Sequence, residues 1–242
     1  MHQGWYISEV YTTLARDARL DGLSVVNTVA WRCPERWALF SENSGNGWLP
    51  GVPLEFYTHN EFGIANGAIL EAVANGASVI HTAMNGLGER TGNAATGEAA
   101  VMLELLAGVK TGLKLDRIAG VCSLVENKSH RPIPLNKPIV GRGLSYLETE
   151  IALDLQRKYE KAGFKIGIPP FMPQVVSQEP FKLVLGKNSG MATIEYFLDK
   201  LGIQTTDDQA EEIMNRVKYE GPFQKSLISE ARFAGICREV LR

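Results

Sequence analysis

The chain has 242 residues, 45% apolar and 21% charged, with 25 Lys and Arg against 27 Asp and Glu for a net charge of −2. This is enough chain to bury a core, and the composition excludes disordered, collagen-like and low-complexity scaffolds. It has neither the basic excess of a nucleic-acid or anionic-membrane binder nor an apolar run of the ~18 residues that a spanning helix needs.

Residues 7–20 carry helical spacing, with Val10, Leu14 and Ala18 on one face. LSVVNTV (23–29) is β-branched and apolar, and reads as a buried strand. Pro34 opens a helix, PERWALFSEN, and residues 43–53 form a Gly/Pro/Asn loop. VPLEFYTH (52–59) reads as a second strand, FGIANGAILEAVANGA (62–77) as a helix ending at Asn75-Gly76, and SVIHTAM (78–84) as a third strand. A glycine-rich loop, NGLGERTGNA, precedes a helix over 95–112. Strands alternating with helices imply a parallel sheet covered by helices, with chemistry at the C-terminal strand ends. Those ends carry Asn27-Thr28, His59-Asn60-Glu61 and Asn85-Gly86.

Residues 1–115 are therefore assigned to this α/β part, and 116–144, rich in Pro, Gly and basic residues over 128–143, to a linker. Residues 145–242 read as helical: 145–163 is strongly amphipathic, and further helices are expected near 189–201, 206–219 and 224–241. The N-terminal MHQGWYISEV lacks the pattern of a signal peptide. Cys33, Cys122 and Cys237, odd in number and widely spaced, read as free thiols of a reducing cytoplasm.

Alternation puts Glu55, Tyr57 and His59 on one side of their strand. His59, at the strand end beside Asn60 and Glu61, suits metal binding or acid–base work, or is a satisfied structural histidine. In the loop that follows the third strand, Glu89 and Arg90 can pair with each other or meet a bound acid, and Asn93 offers a carbonyl oxygen to a hard cation.

The segment THNEFGIANGAILEAVANGASVIHTAMNGLGERTGNA resembles the end of the catalytic barrel in the isopropylmalate synthase and homocitrate synthase family, acyl-CoA-dependent members of the DRE-TIM metallolyases. NKPIVG (136–141) and LGKNSG (185–190) resemble the same family's linker and second subdomain. The resemblance implies the C-terminal part, about three strands, of a (β/α)8 TIM barrel with a mainly helical extension. It implies metal-assisted condensation of acetyl-CoA, as co-substrate, with a small 2-oxo acid. It further implies a divalent metal (Mg, Mn or Zn) held through His59 and Asn93, with Tyr57 standing where the family has another histidine. Thr28 and Asn60 become the candidate substrate-binding residues, and Glu89 and Arg90 the candidate catalytic pair.

The departures matter as much. A neutral phenol, with a pKa of ~10, is a poor metal ligand. Asn27 stands where the family has aspartate, and Ile168 and Gln174 where it has tyrosine and glutamate. The DRE motif of the first strand does not occur, and an open three-stranded sheet leaves edges and an apolar interior to cover. The expected partner is a second polypeptide supplying the other strands, or a further copy of the chain; no nucleic acid or membrane is expected. The alternative functions are a non-catalytic structural or regulatory homologue, and aldolase- or lyase-type chemistry on the same scaffold. Glu55, deep in the barrel, is expected to pair with a cation from a strand outside this chain, or to compensate in part for the lost histidine.

Overall fold

The computed structural model describes residues 20–27, 52–149, 170–224 and 226–242, with isolated positions at 10, 13, 155, 158, 159 and 161–163. The helices read over 7–20 and 34–43 and the candidate Thr28 lie outside the described residues, except for Val10 and Thr13, both helical, and Leu20, which is not. The chain divides into two compact units, one of residues 1–134 and 138–140, the other of residues 135–137 and 141–242.

In the first unit, β1 (Leu23–Asn27), β2 (Leu54–Thr58) and β3 (Val79–His81) form a parallel sheet in the order β1-β2-β3. Ser24 pairs with Glu55, Val26 with Tyr57, Glu55 with Val79 and Tyr57 with His81. Alternation then gives the sheet two unlike faces. Phe56 lies on the face covered by α1 (Ala65–Ala74) and α2 (Thr96–Leu105), in a core with Ala65, Ala68, Ile69, Ala72 and Leu103. The other face carries Val26, Glu55, Tyr57, Val79 and His81; Val26 is 52% and Val79 40% exposed. This is the expected partial (β/α)8 barrel, with its helix-coated outside closed and its interior face open.

Helix α1 shows how local chemistry sets the boundaries. Its buried positions, Ala65, Ala68, Ile69 and Ala72, recur at helical spacing. It ends in a Schellman motif: Ala77 N–H donates to the Ala72 carbonyl and Gly76 N–H to that of Val73, with Gly76 at φ +96°. The loop after β3 opens with a 3-10 turn at Met84–Gly86.

Two departures from the sequence reading concern the second half. Residues 118–129, placed in the linker, form helix α3 (Ile118–Ser129), which buries Ile118 and Cys122 within the first unit. The Pro and basic content of the adjoining stretch masked this helical run. The helix expected from residue 145 does not begin there: Arg142–Ser145 is a 3-10 turn and β4 (Tyr146–Leu147) pairs in parallel with β5 (Lys182–Leu183). Lys182 Nζ lies 4.9 Å over the Tyr146 ring, an attraction that binds the two strands.

Among its described residues the second unit also carries α4 (Met191–Leu201), α5 (Asp207–Gln224) and α6 (Glu230–Val240). Their apolar stripes close on Ile194, Phe197, Ile213, Val217, Phe233 and Ile236, all nearly inaccessible. Ser229 caps α6 by accepting the Arg232 N–H. Cys122 and Cys237 are buried and form no disulfide, and no described helix is long and apolar enough to cross a membrane.

Candidate active site

The C-terminal end of β2 meets the loop that follows β3. His59, 4% exposed, forms an antiparallel bridge with Asn93, and Asn60 N–H donates to the Gly92 carbonyl at 3.0 Å. The Asn93 amide donates through Nδ2 to the Thr58 carbonyl at 3.1 Å, and its backbone N–H to the Gly86 carbonyl at 3.1 Å. The loop is thus tied to the strand end by hydrogen bonds between residues about a βα unit apart in sequence.

These contacts set the state of His59. Its Nδ1 lies 3.2 Å from the Gly92 carbonyl, which only accepts, so Nδ1 carries the proton in that bond. In the neutral ring, Nε2 then holds the lone pair, and it sits 2.9 Å from Tyr57 Oη. The phenol donates to it. Tyr57 therefore occupies the nitrogen that a metal would take.

The other predicted residues fall as follows. Asn60 turns its side-chain oxygen to the Ala65 N–H at 3.0 Å, starting α1. Arg90, with φ +54°, donates from Nε to Glu61 at 2.5 Å, while Glu89, 85% exposed in its side chain, stands 3.9 Å from the guanidinium. The guanidinium bond holds the Glu61 carboxyl below its ordinary value. Arg90 is thus organised by Glu61, a residue the sequence reading noted only as a neighbour of His59. A concavity of about 570 Å³ beside the loop is lined by Gly86, Gly88, Arg90, Thr91, Ser129 and Arg131.

The residues do not fit a complete metal centre on their own. His59 Nε2 is hydrogen-bonded to Tyr57, and Tyr57 has its proton directed at His59. The Asn93 Oδ1 packs against Gly88, where a β-carbon would lie 2.0 Å from it. Among the described residues no group of three His, Cys, Asp or Glu converges to hold an ion.

Glu55 corrects one expectation. Its partner is His81 of the neighbouring strand in this same chain, with Oε2 2.8 Å from Nε2, rather than a cation from elsewhere. Finding this pair needs the β2–β3 register, which no single strand pattern carries.

Residues 42–125 match the HMGL-like family. The chain is 34% identical over 221 residues to the (R)-citramalate synthase of Methanocaldococcus jannaschii, covering 91% of this chain and 43% of that one. It is also 34% identical over 220 residues to the 2-isopropylmalate synthase of the same organism, covering 89% and 41%. The chain spans less than half the length of these curated relatives.

Proposed function

This chain belongs to the HMGL-like family, the DRE-TIM metallolyases, and from that premise we propose that it forms part of an acyl-CoA-dependent 2-oxo acid synthase. It supplies the last three strands of the catalytic barrel and the subdomain that follows. Acetyl-CoA gives the carbon nucleophile, a small 2-oxo acid accepts it, and hydrolysis of the thioester releases the thiol. The observation that carries the reading is the junction of His59 and Asn93 at the rim, inside the stretch aligned with relatives named as synthases.

Within this proposal Arg90 keeps its Nε on Glu61 and offers its guanidinium at the loop concavity, where a carboxylate of the acid can be met. Asn60 and Asn93 build the rim rather than reach substrate, because the Asn60 side-chain oxygen accepts the Ala65 N–H at the start of α1 and the Asn93 amide donates to the Thr58 carbonyl of β2. The divalent metal that such synthases use has no complete site among the described residues and is assigned no step. The three described strands close no barrel, so the open face bearing Val26 and Val79 is covered by the remaining strands, carried on the same polypeptide or on a second one. We propose the cytoplasm as the site of the reaction, a compartment in which cysteines stay reduced.

The test is thiol release by the native protein, isolated with whatever completes its barrel. It is given acetyl-CoA and, in turn, pyruvate, 2-oxoisovalerate and 2-oxoglutarate. Release that depends on one of the acids supports the synthase. Its absence with all three overturns it in favour of a non-catalytic homologue or of lyase chemistry, the former favoured by the Tyr57 hydroxyl on His59.

A further inference from the structure

We propose that His81, oriented by Glu55, is the proton-transfer residue at the rim of this barrel. The inference rests on the synthase reading above and names the base that reading leaves open.

The sheet register puts His81 level with Tyr57, on the barrel-interior face and at the C-terminal end of β3. That is where catalytic groups stand in such barrels. Glu55, one pair earlier on β2, places Oε2 2.8 Å from His81 Nε2. A carboxylate only accepts, so Nε2 carries the proton, and in the neutral ring the lone pair lies on Nδ1. Nδ1 has no hydrogen-bond partner among the described residues. The Tyr57 ring meets the imidazole edge to face, centroids 6.2 Å apart, and limits its rotation. A carboxylate on one nitrogen and a free lone pair on the other is the arrangement of a general base held in its working tautomer.

The two imidazoles of this face therefore differ in kind. His59 has both nitrogens in hydrogen bonds and is buried, whereas His81 has one nitrogen that no described residue holds. Of the two, only His81 can take a proton without first breaking a bond to a described residue. In the step, Nδ1 removes a proton from the methyl carbon of the acetyl thioester, and the C–H electron pair becomes the enolate. The enolate carbon bonds to the keto carbon of the 2-oxo acid, whose C=O π pair moves to oxygen. That oxygen takes the proton back from the imidazolium, and water then cleaves the C–S bond to give thiol and carboxylate. Glu55 is a positioning residue that also stabilises the transient imidazolium.

The experiment uses the native protein with its completed barrel and the acid that supports thiol release. His81→Gln lowers kcat by about 100-fold with little change in KM for either substrate. It also stops deuterium exchange into the acetyl methyl group. Glu55→Gln lowers kcat less, and Glu55→Asp restores part of the loss. Independently of turnover, ¹⁵N spectra show His81 as the Nε2–H tautomer and His59 as the Nδ1–H tautomer. Thiol release by His81→Gln within twofold of wild type, or an Nδ1–H tautomer at His81, overturns this proposal and leaves the synthase reading standing. No release by the wild type with any acid overturns that reading and the step built on it.

Discussion

Replacing Gly92 with alanine tests whether the loop after β3 holds the rim together. Gly92 sits at φ +84°, and a β-carbon built on it lies 2.0 Å from the Gly86 carbonyl oxygen. That oxygen accepts the Asn93 N–H, and the Gly92 carbonyl serves both Asn60 N–H and His59 Nδ1. The left-handed backbone costs a non-glycine residue about 1–2 kcal/mol. Forcing a methyl group into a packed site adds about 1–3 kcal/mol. The expected loss is thus about 2–5 kcal/mol. Gly76 provides the internal control, because it has φ +96° but nothing within 4 Å of the place a β-carbon would take. Gly76→Ala carries the backbone cost alone, about 1–2 kcal/mol. Urea unfolding followed by far-ultraviolet circular dichroism measures both. Equal losses in the two variants would refute the argument, since the Gly86 contact would then contribute nothing.

Three further outcomes follow from other parts of the molecule. Phe233, inaccessible in the second unit, contacts Phe197 with centroids 5.8 Å apart; Phe233→Ala should cost about 3–5 kcal/mol in denaturant unfolding. Arg90 holds the Glu61 carboxyl below its ordinary value of 4.5, so the folded state is favoured above that pH. The stability difference between wild type and Arg90→Gln should therefore be present at neutral pH, shrink as pH falls below the ordinary carboxylate value, and vanish once Glu61 is protonated in both states. A difference that persists in acid would assign the effect to packing. Cobalt titration of this chain by itself should show no saturable site at micromolar metal, because Tyr57 holds His59 Nε2. A micromolar site would reveal ligands beyond the described residues.

The three strands were legible because β-branched apolar runs such as LSVVN are bounded by turn residues, and α1 because its alanines and Ile69 recur at helical spacing. The rim loop was legible as a motif. Less so was what the side chains do to one another. Alternation placed Tyr57 and His59 on one face, yet only geometry shows the phenol satisfying the imidazole. The Glu55–His81 pair depends on inter-strand register, a property of hydrogen bonding between segments rather than of either segment. Helix α3 was missed because a proline-rich neighbour dominated the composition of its window, and β4 because two residues carry too little periodicity to register.

The ties between β2 and the glycine-rich loop bear on the order of assembly. Thr58 meets Asn93 and His59 meets Gly92 across 35 and 33 residues, so neither bond forms until the intervening helix and strand have docked. Such long closures are entropically late events. The amides of Asn60 and Asn93 are donors in this junction. Their hydrogen exchange should therefore slow last during refolding, and in the native protein should follow the opening of the whole βα unit rather than local fraying. Rim chemistry in this molecule comes into being only with the completed fold around it.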